Sequence, residues 1–268
     1  MLATSCLRLL ICASLDDVLV HLCFLLKGLT MKKAFLVELT VLTGYIKQLL
    51  PIAAIVGFFV AFGMGTVVPL AGIFVTMFSM MGAMAASAYD DANNWGVYRL
   101  TLPLSRRDVV LGRYVAVIAM AGAGVALGIA LQVLAVAVGA LNILPGDLRD
   151  VLHMTQADVL ASIFSLFLCL FMGASAAAFT IPAYFKFGNT KATQFLPMFV
   201  MLAYFICMIG FGQIADHIDA AEVLTRFASW MESFAGTAVL SLVLIVLTAF
   251  VLFVSAAVSM RIYARRDL

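Results

Sequence analysis

The sequence predicts an all-α integral membrane protein. Six transmembrane helices are expected, with an N-terminal amphipathic helix lying in the membrane interface and a short outer amphipathic helix before the last span. Three observations predict this class. The 268 residues are 65% hydrophobic and 11% charged, whereas an ordinary soluble domain carries about 25% charged residues. With a mean hydropathy of +1.14, the chain has too little polar surface to cover a water-soluble fold. The apolar residues gather into long runs without period-two alternation, which favours helices over a barrel.

Residues 1–30 contain two short apolar pieces split by Asp16 and Asp17. Each is shorter than the roughly 20 residues a span needs. No convincing cleavage site separates them from MKKAF. Met31-Lys32-Lys33 looks like a bacterial start, so residues 1–30 read as an over-extended start or a poorly ordered extension. Residues 31–48 form the interfacial helix. Lys33, Thr40, Thr43, Gly44 and Lys47 recur on one face at helical spacing, and Phe35, Leu39, Leu42 and Ile46 take the other.

The six-helix transmembrane domain occupies residues 49–268, with apolar runs near 49–64, 67–88, 114–141, 159–182, 196–213 and 235–260. Gly63-Met64-Gly65-Thr66 joins the first two as a tight hairpin, with Pro69 early in the second helix, where proline is tolerated. Thr155 and Asp158 form a capping box ahead of the fourth run. Pro182 is expected to close that run and Pro197 to open the next. Residues 218–231 place Ile218, Leu224 and Phe227 opposite Asp219, Glu222 and Arg226, with Trp230 as an interfacial anchor.

Lysine and arginine settle the expected orientation. Lys32, Lys33, Lys47, Arg99, Arg106, Arg107, Arg113, Lys186, Lys191, Arg261, Arg265 and Arg266 fall on one side, against Arg149 and Arg226 on the other. Twelve against two puts both termini in the cytoplasm. A net charge of +2 gives no reason to expect nucleic acid as a partner.

No Asp, Glu, Lys, Arg or His stands well inside any run, and Gln132 with scattered serine and threonine are the strongest polar groups there. An ionisable group at mid-bilayer costs at least about 2.5–3.5 kcal/mol and is retained mainly where it works. A secondary carrier is therefore disfavoured. A membrane enzyme or assembly factor would need chemistry from the acidic outer loops, where no nucleophile motif appears. The cysteines show no metal or disulfide spacing, and His21, His153 and His217 have no partner at i+3 or i+4, so neither metal nor cofactor is expected. The sequence has no P-loop motif. Small residues crowd the spans instead. Gly124 and Gly128 form a GxxxG, and Gly173 opens a run of alanine and serine, which suits close helix packing within one subunit.

The densest polar strip is YDDANNWGVYRLTLPLSRRDVVLGRY, residues 89–114. Asp90 or Asp91 can cap a short helix from about Ala92, Pro103 stops it, and Ser105 with Asp108 caps the next helix. Trp95, Tyr98, Leu100 and Leu102 beside Arg99, Arg106 and Arg107 mix apolar anchors with arginine, as protein contacts do. A loop that only enforces topology against lipid phosphates is the plainer reading. This strip resembles the segment between spans two and three of bacterial ABC (ATP-binding-cassette) exporter permeases of the type-2 class. The six-span plan, the amphipathic leading helix and the tail SMRIYARRDL are similar too, so the resemblance covers about residues 31–268.

The resemblance implies a multi-pass permease of the bacterial plasma membrane with no ATPase activity of its own. It would form the export pathway as a dimer with a second copy or a paralogue, and would pair with two cytosolic ABC ATPase subunits. Asp90, Asp91, Trp95, Tyr98, Arg99, Leu102, Pro103, Arg106 and Arg107 would then couple the spans to those subunits. Peptides, antimicrobial drugs and amphipathic lipid-like molecules all remain open as cargo, beside the membrane lipids that surround such a bundle.

Overall fold

The computed structural model describes residues 29–92, 105–140, 146–188, 190–217, 226, 229–230 and 233–264, and among them no strand occurs. The described helices are α1 (Leu29–Met64), α2 (Leu70–Ala92), α3 (Arg106–Ala140), α4 (Gly146–Leu152), α5 (Gln156–Phe187), α6 (Lys191–His217) and α7 (Phe234–Ala264). Among the described residues five stretches are long and apolar enough to cross a membrane: Gly44–Met64, Leu70–Ala88, and the whole of α3, α5 and α7. The fifth predicted span, 196–213, lies in α6, whose apolar stretch Lys191–Cys207 is shorter. Most of the predicted outer helix at 218–231 falls outside the described residues. The short helix α4 was not expected from the sequence.

The interfacial helix and the first span are a single element here. α1 is continuous from Leu29 to Met64 with Pro51 inside it. No glycine or capping residue directly follows Gln48, and the helix runs on through Pro51 even though proline lacks the N–H and crowds the carbonyl four residues back. Phe35, Leu42 and Ile46 are buried against Phe74, Phe78 and Met120, while Lys47 is exposed. The hairpin to α2 turns at Gly65, whose φ of +67° favours glycine.

Two prolines sit differently from the expectation. α5 continues past Pro182 to Phe187, and Gly188 ends it at φ +71°. Pro182 has no N–H to give the carbonyl of Ala178, but the Ser255 hydroxyl of α7 donates to that oxygen at 2.5 Å. A neighbouring helix thus replaces the missing backbone bond, which is how spans tolerate proline. α6 begins six residues before Pro197, at Lys191, because Thr190 and Thr193 cap it reciprocally.

α2 is the central helix, packed on α1, α3 and α5. Two-thirds of its apolar window (67%) is buried, against 17% for α7, the least buried of the five stretches. Lipid offers no hydrophobic drive for helices to associate, so contact must come from close fit and interhelical hydrogen bonds. Both are present. A Cβ on Gly128 would stand 2.8 Å from the Ala71 carbonyl oxygen, and one on Gly124 would stand 2.9 Å from Phe78 Cβ. Gly173 of α5 faces Ser79 and Thr76 of α2 with no room for a side chain. Thr76 donates to the Cys169 carbonyl at 3.2 Å, joining α2 to α5, and Ser165 donates to that of Val68 at 3.3 Å in the turn before α2.

Candidate functional site

The candidate site is the end of the bundle where the polar strip returns into α3. Ser105 begins that helix as the sequence predicts. Its hydroxyl donates to the Asp108 carboxylate at 2.7 Å, and the Asp108 N–H returns to the hydroxyl at 3.2 Å. This box fixes the first turn of α3, which displays Arg106 and Arg107, both exposed.

Arg106 also turns toward the last helix. Its Nη1 donates to the carbonyls of Ala264 at 3.1 Å and Tyr263 at 3.4 Å. A helix C-terminus presents unsatisfied carbonyls and partial negative charge, so a guanidinium there is favourable. One side chain therefore ties the start of α3 to the end of α7. Tyr263 continues the contact by packing its ring 5.1 Å from that of Phe185 on α5. Lys186 and Arg261 are exposed near the ends of the same two helices.

Arg113, counted from the sequence among the cations between spans two and three, lies two turns inside α3 and has 0% exposure. Its Nη2 donates to the Ala86 carbonyl of α2 at 3.2 Å. The guanidinium carbon stands 5.7 Å from the Tyr184 ring centroid and 5.5 Å from that of Phe185. Aromatic faces and a carbonyl replace part of the hydration that a buried cation gives up. Tyr184 in turn donates to the Ser87 carbonyl, beside the one Arg113 uses. The result is a buried node of α2, α3 and α5. Arginine stays protonated throughout, so Arg113 supplies no proton relay and leaves the argument against proton-coupled carriage in place.

A second polar string crosses the bundle one residue further along α3. Tyr114 Oη lies 2.5 Å from Ser255 Oγ and 2.8 Å from Ser259 Oγ, all buried. Because Ser255 donates to Ala178, its oxygen accepts from Tyr114, and Tyr114 accepts from Ser259. Three hydroxyl protons thus serve three bonds. A cavity of about 250 Å³ adjoins the Tyr184 node, with Tyr45, Met81, Thr180 and Thr193 in its wall.

The remaining predicted residues divide. Asp90 and Asp91 occupy the last turn of α2, which runs on through Ala92. Ala92 belongs to α2, and the rest of the short helix expected from there lies outside the described residues. Trp95, Tyr98, Arg99, Leu102 and Pro103 lie outside the described residues. Arg113, Tyr114 and Tyr184 are the residues that sequence reasoning missed. Their signal was an arginine and tyrosines at the edges of apolar runs, but their partners lie on other helices. Among the described residues no three His, Cys, Asp or Glu side chains gather to hold a metal ion.

The family described as ABC-2 family transporter protein matches residues 35–264. No curated protein and no solved structure matches the chain.

Proposed function

Because the chain belongs to the ABC-2 family of transporter proteins, we propose that it is the membrane permease subunit of an ATP-driven exporter in a bacterial plasma membrane. In this reading it has six spans, α6 being the fifth, and both termini are cytoplasmic. A second copy or a paralogue completes the pathway, and separate cytosolic ATPase subunits dock on the strip at residues 89–113. Asp90, Asp91, Trp95, Tyr98, Arg99, Leu102, Pro103, Arg106 and Arg107 make that contact. Cargo is an apolar or amphipathic molecule such as a peptide, drug or lipid.

The observation that carries this reading is the capped, exposed start of α3, braced against the end of α7 through Arg106. Force applied to a rigid helix start reaches the spans, whereas force on a slack loop is lost. Arg113 and Tyr184 then link that helix to α2 and α5.

The two arginines have separable roles. Arg106 braces α7, so its replacement disturbs the permease itself, whereas among the described residues no brace is seen for Arg107. Arg107→Glu places a like charge against a carboxylate partner, a juxtaposition that can cost several kcal/mol. The expected result is normal membrane level, weakened co-purification of the ATPase subunit and reduced export, with an Asp150→Asn control unaffected. Undiminished ATPase recruitment and export by Arg107→Glu would reduce the strip to a topological anchor.

A further inference from the structure

At the end of α3 remote from Arg106, a cavity of about 410 Å³ lies between α3 and α5. Such a volume falls within the roughly 300–1,000 Å³ range of ligand pockets. Val133, Val159 and Ile163 in its wall are 62%, 45% and 39% exposed, so the mouth opens sideways toward the bilayer. One side chain there is out of character. Gln132 is 8% exposed, and its Nε2 donates at 3.7 Å to the Met154 thioether.

A thioether is a weak acceptor, and a primary amide carries two N–H donors and a carbonyl. A buried amide served so thinly is costly in hydrocarbon. The Ser162 hydroxyl beside it already donates to the Val159 carbonyl at 3.2 Å, so the donor left to a visitor is the amide N–H. An equally large cavity walled by Phe58, Phe62, Leu70 and Leu131 has no such group and offers only hydrocarbon contact.

Depth narrows the visitor further. The Thr155–Asp158 box at the start of α5 holds a carboxylate through two exposed bonds, and a charge at the end of a span belongs at headgroup level and not in hydrocarbon. Ser162 is one turn deeper, about 6 Å at 1.5 Å per residue. The amide thus sits between headgroup and hydrocarbon, where glycerophospholipids carry their acyl-ester carbonyls. We propose that this lateral pocket binds the ester region of a glycerophospholipid, with Gln132 donating to an acyl-ester carbonyl and the apolar walls holding the chain.

The test uses full-length protein in mild detergent, stripped of native lipid and titrated with diacyl phosphatidylglycerol or its dialkyl-ether analogue. Native mass spectrometry reads the bound fraction. One neutral hydrogen bond predicts a two- to tenfold preference for the diester, roughly. Gln132→Leu should abolish the preference without lowering thermal stability, and Ile163→Trp should reduce occupancy by both lipids. Equal binding of the two lipids by the wild type would overturn the assignment, as would a preference that survives Gln132→Leu. A Val133→Cys thiol shielded by rising protein concentration and not by lipid would give the pocket to a second copy of the chain, and would overturn it too. None of these readouts depends on export or on an ATPase.

Discussion

Ser255 supplies the hydrogen bond that Pro182 cannot, and this exchange can be measured. Ser255→Ala leaves the Ala178 carbonyl without its donor at 2.5 Å and Tyr114 without its acceptor at 2.5 Å. An unsatisfied buried polar group costs about 1–3 kcal/mol in general, and side-chain bonds inside membranes average about 0.6 kcal/mol. Together these put the loss at about 1–2 kcal/mol. Pro182→Ala restores a backbone N–H four residues after Ala178, so the carbonyl regains a partner within its own helix. In that background Ser255→Ala forfeits mainly the Tyr114 contact, and its cost should fall to about 0.5 kcal/mol. The double variant should therefore be more stable than the sum of the singles by about 1 kcal/mol, within the range expected for groups in contact. Denaturation by SDS in mixed micelles, followed by circular dichroism, gives the four free energies of the cycle. Equal costs for Ser255→Ala in both backgrounds would refute the surrogate role.

Three further outcomes are expected. Gly128→Ala forces a Cβ to 2.8 Å from the Ala71 backbone and should destabilise by about 1–3 kcal/mol. Gly122→Ala, with nothing within 4 Å, should be neutral or better, and matching losses in thermal unfolding would contradict this packing. Arg106→Gln should speed amide exchange in the last turn of α7, and unchanged exchange would remove the brace. A cysteine at Asn94 should resist a membrane-impermeant thiol reagent in intact cells while one at Asp150 reacts, and the reverse pattern would invert the proposed orientation.

The parts legible in the sequence were those whose cause is local. Both capping boxes were readable because donor and acceptor stand three residues apart, as in Ser105–Asp108 and Thr155–Asp158. Arg106 and Arg107 were found by charge beside a helix start. Pro182 was misread because the donor that rescues it comes from a residue 77 positions after Ala178. Arg113 was misread for a similar reason. Beside an apolar run it looks like any cytoplasmic cation, and the rings that bury it belong to α5. The glycines showed that close contact was needed, but only the assembled bundle shows that Gly124 and Gly128 meet α2.

The uneven burial of the helices bears on how the chain is made. α7 has a mean hydropathy of 2.9 and needs no neighbour to partition into lipid as it leaves the translocon. α2, at 1.7, is the least apolar of the five stretches and also the most enclosed. Its packing on α1 before it and α3 after it adds to this weaker partitioning, so the hairpin at Gly65 is expected to matter early in biogenesis. α7 follows these helices apolar enough to insert unaided, and its polar ties to Arg106 and Tyr114 are what convert a lodged helix into a docked one. Defects in those ties should therefore yield protein that is inserted in full number but assembled loosely, whereas defects around α2 should surface as chains degraded during synthesis.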